Sequence, residues 1–215
     1  MSRLPLLIVL AAVSLAGCRS ADPPAAPPQG RVVQPGAPGQ ASRTVEASTA
    51  PVPRIAHTAA DVAFMQGMIG HHAQALEMTE LLKTRSDNPD MKLLALRIEV
   101  SQTDEIRFMQ RWLASRGLPV PGPHAHHAHD AKLMPGMLTP ADMATLAAAR
   151  GAEFDRLFLR FMIKHHDGAL VMVDELFESD GAGQEADINA FASDIVADQK
   201  MEIDRMGAML RELSK

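Results

Sequence analysis

Two short phrases in this sequence carry side chains that can act together chemically: "GMIGHH" at residues 67–72 and "FMIKHH" at residues 161–166. In each, a methionine stands three and four residues before two adjacent histidines, and a second methionine follows six residues after the pair. The two sets are Met68, His71, His72 and Met78, then Met162, His165, His166 and Met172. Residues three or four apart share one face of an α-helix, so the methionine and its histidines can approach one ion. Thioether sulfur with imidazole nitrogen suits a copper ion as Cu(I), or Ag(I), with other soft or borderline metals as further candidates. The competing explanation is packing. Methionine fills irregular gaps in a core, and a buried imidazole with a hydrogen-bond partner needs no metal. Adjacent histidines also diverge by about 100° around a helix, so one of each pair can face elsewhere. Their symmetric recurrence favours the metal.

Further donors stand at matching places. Glu105 and Glu202 can orient the imidazoles as acceptors or ligate directly, or they are partly exposed glutamates at a bundle end. Met109 and Met206 lie one turn beyond them. Between the two phrases, "HAHHAHDAKLMPGM" places His124, His126, His127 and His129 in a loop with Asp130, Met134 and Met137. Such a histidine-rich tract binds borderline divalent ions with limited selectivity. Ligation needs neutral imidazole, so binding is expected to weaken below about pH 6. The sequence has no Gly-rich phosphate loop, no Gly-x-Ser-x-Gly elbow and no His-Glu-x-x-His motif. A ferritin-type di-iron bundle uses Glu-x-x-His, but here Met68 and Met162 occupy the place before His71 and His165.

The elements that must position these residues repeat. Shifting residues 61–82 by 94 superposes them on 155–176 with ten of twenty-two identical, and Ile98, Gln102, Glu105, Ile106, Met109 and Leu113 recur 97 residues later. Each half is a helical hairpin that cannot bury its apolar stripe alone, and two of them packed together make an all-α four-helix bundle. Helices are expected over 59–85, 89–116, 151–178 and 184–213, with a short one over 140–149 opened by Thr139-Pro140. Repeat one then covers 58–117, the His/Met loop 118–139 and repeat two 140–213.

Composition agrees. Tyrosine is absent, tryptophan occurs once, and there are fourteen methionines, a balance that favours helices over strands. The formal charge of −5 is mild and no basic patch appears, so nucleic acid is not an expected partner. Residues 1–18 form a signal peptide with a short apolar stretch, ending in "LAGC", which resembles the lipobox of bacterial lipoproteins. That resemblance implies a lipid on Cys18, the only cysteine, and hence a membrane anchor. Residues 19–57 are rich in Pro, Ala and Gly and are expected to be a disordered tether.

"DVAFMQGMIGHHAQALEMTELL" and "DRLFLRFMIKHHDGALVMVDEL", with "MPGMLTPADMATL" between them, resemble the domain of unknown function 305 family over about residues 58–213. The resemblance implies a secreted, ferritin-like four-helix bundle, with copper binding and tolerance outside the cytoplasm in some relatives. It places the family's motif on Met68, His71, His72 and Met78 and on Met162, His165, His166 and Met172. The expected function is an envelope metal-binding protein, lipid-anchored and facing the periplasm or exterior, that sequesters Cu(I) or transfers it to an envelope copper transporter or chaperone. Two alternatives stay open: a metal-dependent oxidoreductase with its site in the bundle core, and a structural or interaction module without metal.

Overall fold

The computed structural model describes residues 31–34, 39–46, 55–122 and 133–214. The chain divides into two compact units between Val52 and Pro53. In the first, strands β1 (Arg31–Gln34) and β2 (Arg43–Glu46) pair antiparallel, Arg31 opposite Glu46 and Gln34 opposite Arg43. This hairpin stands within the stretch expected to be an unstructured tether. Val32, Val33, Thr44 and Val45 are β-branched, a local preference for extended chain that the Pro/Ala-rich composition masks.

The second unit is all-α, with α1 (Ala59–Arg85), α2 (Pro89–Ser115), α3 (Pro140–Ala148), α4 (Gly151–Glu178) and α5 (Ala186–Glu212). Local chemistry sets the helix starts. Thr58 caps α1 in a capping box, its amide donating to Asp61 Oδ2 at 2.6 Å while the Asp61 amide donates to Thr58 Oγ1 at 3.2 Å. Asn88 accepts from the Asp90 amide at 3.0 Å, with Pro89 in the first helical position of α2. Thr139 and Asp142 form the same box before α3. α5 starts two residues later than expected because Gly183 takes φ +68° and gives its N–H to Asp61 Oδ1 at 2.8 Å.

Helices α1, α2, α4 and α5 form a four-helix bundle of two hairpins, α1–α2 and α4–α5, joined by α1 packing on α4, while α3 touches both inner helices. The two inner helices run in opposite directions, so the core falls into two apolar clusters. One holds Phe64, Met68 and Ile69 of α1 with Met172, Val173 and Leu176 of α4. The other holds Ala75, Met78 and Leu82 of α1 with Phe154, Phe158 and Met162 of α4. The outer helices contribute to both: α2 gives Met109, Trp112 and Leu113 to the first and Leu94 and Ile98 to the second, and α5 gives Phe191 and Ile195 to the first and Met206 to the second. Among the described residues no helix is long and apolar enough to cross a membrane.

Candidate metal centre

Between the two clusters lies a layer of four imidazoles. α1 and α4 meet where the rings of His71 and His165 approach with centroids 3.8 Å apart at 37°. His72 stands 6.2 Å from His71, and His166 stands 6.3 Å from His165. All four are buried. Three repeat methionines lie on each side of the layer, with Met68, Met109 and Met172 in one cluster and Met78, Met162 and Met206 in the other.

The ring nitrogens are partnered unevenly. His72 Nε2 lies 2.5 Å from Glu105 Oε2, and His166 Nε2 lies 2.7 Å from Glu202 Oε2. A carboxylate only accepts, so each Nε2 donates, and that leaves Nδ1 as the lone-pair atom of a neutral ring. His71 Nε2 lies 3.0 Å from the backbone carbonyl of Pro135. Among the described residues none of the four Nδ1 atoms has a hydrogen-bond partner, and His165 meets only the backbone of His71, without a well-formed hydrogen bond on either nitrogen. Buried polar atoms without partners are rare and call for an explanation such as a bound ion. Gln102 and Gln199, one turn before the glutamates, add further unpartnered polar atoms, both amide atoms of Gln102 and Oε1 of Gln199.

Burial lowers the pKa of His71 to about 3, assisted by the neighbouring His72 and His166 and opposed by the Pro135 carbonyl. The His165 pKa is held well below the usual imidazole value, first by burial and then by His71, His166 and His72, against a smaller opposing effect of the His71 backbone. Both central rings are therefore neutral donors at neutral pH, and they stay so below the pH of about 6 expected from free histidine.

The two glutamates differ in setting. Glu202 is 1% exposed, and its Oε1 lies 3.4 Å from Arg97 Nε. It is a buried side chain rather than a partly exposed one. Glu105 is 12% exposed and borders a cleft of about 570 Å³ between α2 and α5, lined also by Ser101, Asp104, Asp187, Asp194 and Asp198. The Asp198 carboxyl is pushed up by burial and then by the charges of Glu105 and Glu202. The pseudo-symmetric ends of the layer are thus chemically distinct.

The structure gathers Met68, His71, His72, Met78, Met162, His165, His166 and Met172 into the bundle interior, and seats Glu105 and Glu202 on the outer imidazoles. Cys18, His124, His126, His127, His129 and Asp130 lie outside the described residues. Among the described residues no three His, Cys, Asp or Glu side chains converge on one point. Sequence reasoning missed the segment 133–139, whose Leu138 amide donates to Gln74 Oε1 at 2.7 Å while Gln74 Nε2 donates to the Leu138 carbonyl at 3.0 Å. Gln74 aligns with Gly168 in the repeat, but Ala73/Asp167 and Glu77/Val171 differ beside it, so nothing local marks the pair.

Fold and site together define a class: a two-hairpin helical bundle with a buried layer of paired histidines backed by methionine. The chain belongs to the family described as "Domain of unknown function (DUF305)", whose sequence model matches residues 61–210. It is similar to a DUF305 protein from Streptomyces coelicolor provisionally described as secreted, at 29% identity and TM-score 0.63, covering 72% of this chain and 94% of that one. A DUF305 fragment from Deinococcus radiodurans matches at 33% identity and TM-score 0.62, over 73% and 98% of the two chains. CopM in its Cu(I)-bound form matches at 29% identity and TM-score 0.56, over 71% and 96%, and CopM is also known in Cu(II)-bound, Ag-bound and apo forms. The uncharacterized protein L153 of Acanthamoeba polyphaga mimivirus is 38% identical over 58 residues, 27% of this chain, and the match spans only 38% of that relative's length.

Proposed function

We propose that the bundle binds copper as Cu(I), with Ag(I) as a chemical surrogate, and that it sequesters the ion or hands it on in the bacterial envelope. The observation that carries this reading is the set of four buried imidazoles whose Nδ1 atoms have no partner among the described residues, flanked on both sides by methionines. Neutral imidazole and thioether together form a soft, uncharged donor set, which suits a monovalent soft ion. Met68, Met78, Met162 and Met172 supply sulfur, with Met109 and Met206 as additional donors. Glu105 and Glu202 act by orienting His72 and His166 rather than by ligating, since a carboxylate on the far ring nitrogen fixes the tautomer and raises ligand basicity. CopM, a relative of the same fold, supports the choice of ion through its Cu(I)- and Ag-bound forms. In this reading His124, His126, His127 and His129 form a capture site, the lipid on Cys18 anchors the chain at the membrane, and the partner is an envelope copper transporter or chaperone.

The test is an anaerobic Cu(I) competition titration of the purified protein against a chromophoric chelator, beside a variant with alanine at His71, His72, His165 and His166. Loss of tight binding in the variant, with helicity retained, is the expected result. Equal binding by both proteins would assign the ion to the loop histidines. Failure of either to compete would refute the copper reading.

A further inference from the structure

The segment from Leu133 to Thr139 belongs to neither hairpin, and the repeat offers it no counterpart. It crosses α1 and α4 at the histidine layer under two constraints. On α1, Gln74 clamps the Leu138 peptide with the hydrogen bonds described above. On α4 the segment lies backbone against backbone. A Cβ at Gly168 would stand 2.1 Å from the Pro135 carbonyl oxygen, and one at Gly136, where φ is +74°, would stand 2.5 Å from the Lys164 carbonyl. Only glycine at both positions permits this approach. Held in this way, the Pro135 carbonyl points at His71 Nε2 from 3.0 Å.

We infer that this segment is a positioning arm of the metal site: the Pro135 carbonyl locks His71 with its hydrogen on Nε2, so that Nδ1 is the ligand atom. A carbonyl oxygen can only accept, so Nε2 carries the hydrogen whatever the charge of the ring. In the neutral ring that binds metal, the lone pair then lies on Nδ1, the atom left buried without a partner. The outer histidines reach the same state by another route, through Glu105 and Glu202. Three of the four imidazoles are therefore preset to bind through Nδ1. His165, which among the described residues has no well-formed hydrogen bond on either nitrogen and meets only the backbone of His71, is the one whose tautomer is left to the ion. The ligand-atom assignment rests on the Cu(I) reading, whereas the tautomer lock does not.

Long-range ¹H–¹⁵N spectra of the imidazoles in metal-free, ¹⁵N-labelled protein test the lock without any variant. The expected pattern for His71 is a single Nε2–H tautomer, and an Nδ1–H pattern or an equal mixture overturns the inference. Added anaerobic Cu(I) should shift His71 Nδ1 and leave Nε2 protonated, and the reverse would overturn the ligand-atom assignment. If the lock is seen but Cu(I) moves no imidazole nitrogen, the copper reading fails and the assignment with it. Gly168→Ala should displace the segment, bring His71 to a mixture of tautomers and weaken Cu(I) binding by about 10- to 100-fold, the usual loss when an orienting partner is removed. Gln74→Met releases the same segment from the α1 side and should have the same effect on His71. Unchanged His71 nitrogens in both variants would refute the role given to the arm.

Discussion

Acidifying the metal-free protein perturbs the layer without changing a residue. An unfolded histidine takes up its proton near pH 6.5, whereas His71 in the bundle holds out until about 3. Between those values the unfolded state binds more protons, so the stability is fully present above pH 6.5 and is lost as pH falls toward 3. One pKa unit corresponds to about 1.4 kcal/mol, so a drop from pH 7 to pH 5 removes roughly 2 kcal/mol through His71 alone. His165, also lowered chiefly by burial, adds to the loss. In a domain of this size about 1 kcal/mol shifts the melting temperature by roughly 2–4 °C, so His71 alone should lower it by about 4–8 °C over that interval. The assay is thermal unfolding followed by circular dichroism at pH 7, 6 and 5 with a chelator present. His71→Gln serves as control, because its amide still donates a hydrogen bond but does not titrate. The variant should lose roughly 2 kcal/mol less than the wild type between pH 7 and 5. A wild-type midpoint that stays fixed across that range, or an equal slope in His71→Gln, would refute the reasoning.

Three further variants test the packing, the arm contact and the helix cap. Met68→Leu combined with Met162→Leu conserves volume in a buried core and should cost less than about 1.5 kcal/mol per site, yet weaken Cu(I) binding in the competition assay. If binding is unaffected, these sulfurs are core filler. Gln74→Leu leaves the Leu138 amide and carbonyl unpaired and should destabilise by about 1–3 kcal/mol in urea unfolding. Asp61→Ala removes both the capping box of α1 and the bond to the Gly183 amide, and should cost about 1–2 kcal/mol by the same measurement.

Much of the bundle was legible because its signals are local or periodic. Pro89 after Asn88, Thr139-Pro140 with Asp142 and the apolar stripes set helix spans that the structure matches within two residues. The repeat at shifts of 94 and 97 made the two-hairpin packing readable, whereas which histidine of each pair meets the other helix, His71 against His165, depends on how α1 crosses α4. Other features depend on distant partners. Glu202 is buried against His166 and Arg97, which stand on two other helices far from it in sequence. The turn before α5 is tied to Asp61, which accepts from the Gly183 amide across 122 residues of sequence. The short β1–β2 hairpin was hidden by composition, since a segment-wide average outweighed four β-branched residues. The arm over His71 had no local signal, because the lack of a Cβ at Gly168 matters only when another backbone fills the space.

The antiparallel crossing of α1 and α4 also bears on how the molecule folds. In a solenoid each repeat contacts only its neighbours, and unfolding can spread one unit at a time. Here neither apolar cluster belongs to one repeat, since each takes half of α1 and the opposite half of α4 along with parts of α2 and α5. Losing either hairpin dismantles both clusters at once. The duplicated architecture is thus bound into one cooperative unit. The contacts that join the two hairpins, such as that of His71 with His165, lie about 94 residues apart in sequence, so closing them costs more chain entropy than closing a turn within either hairpin.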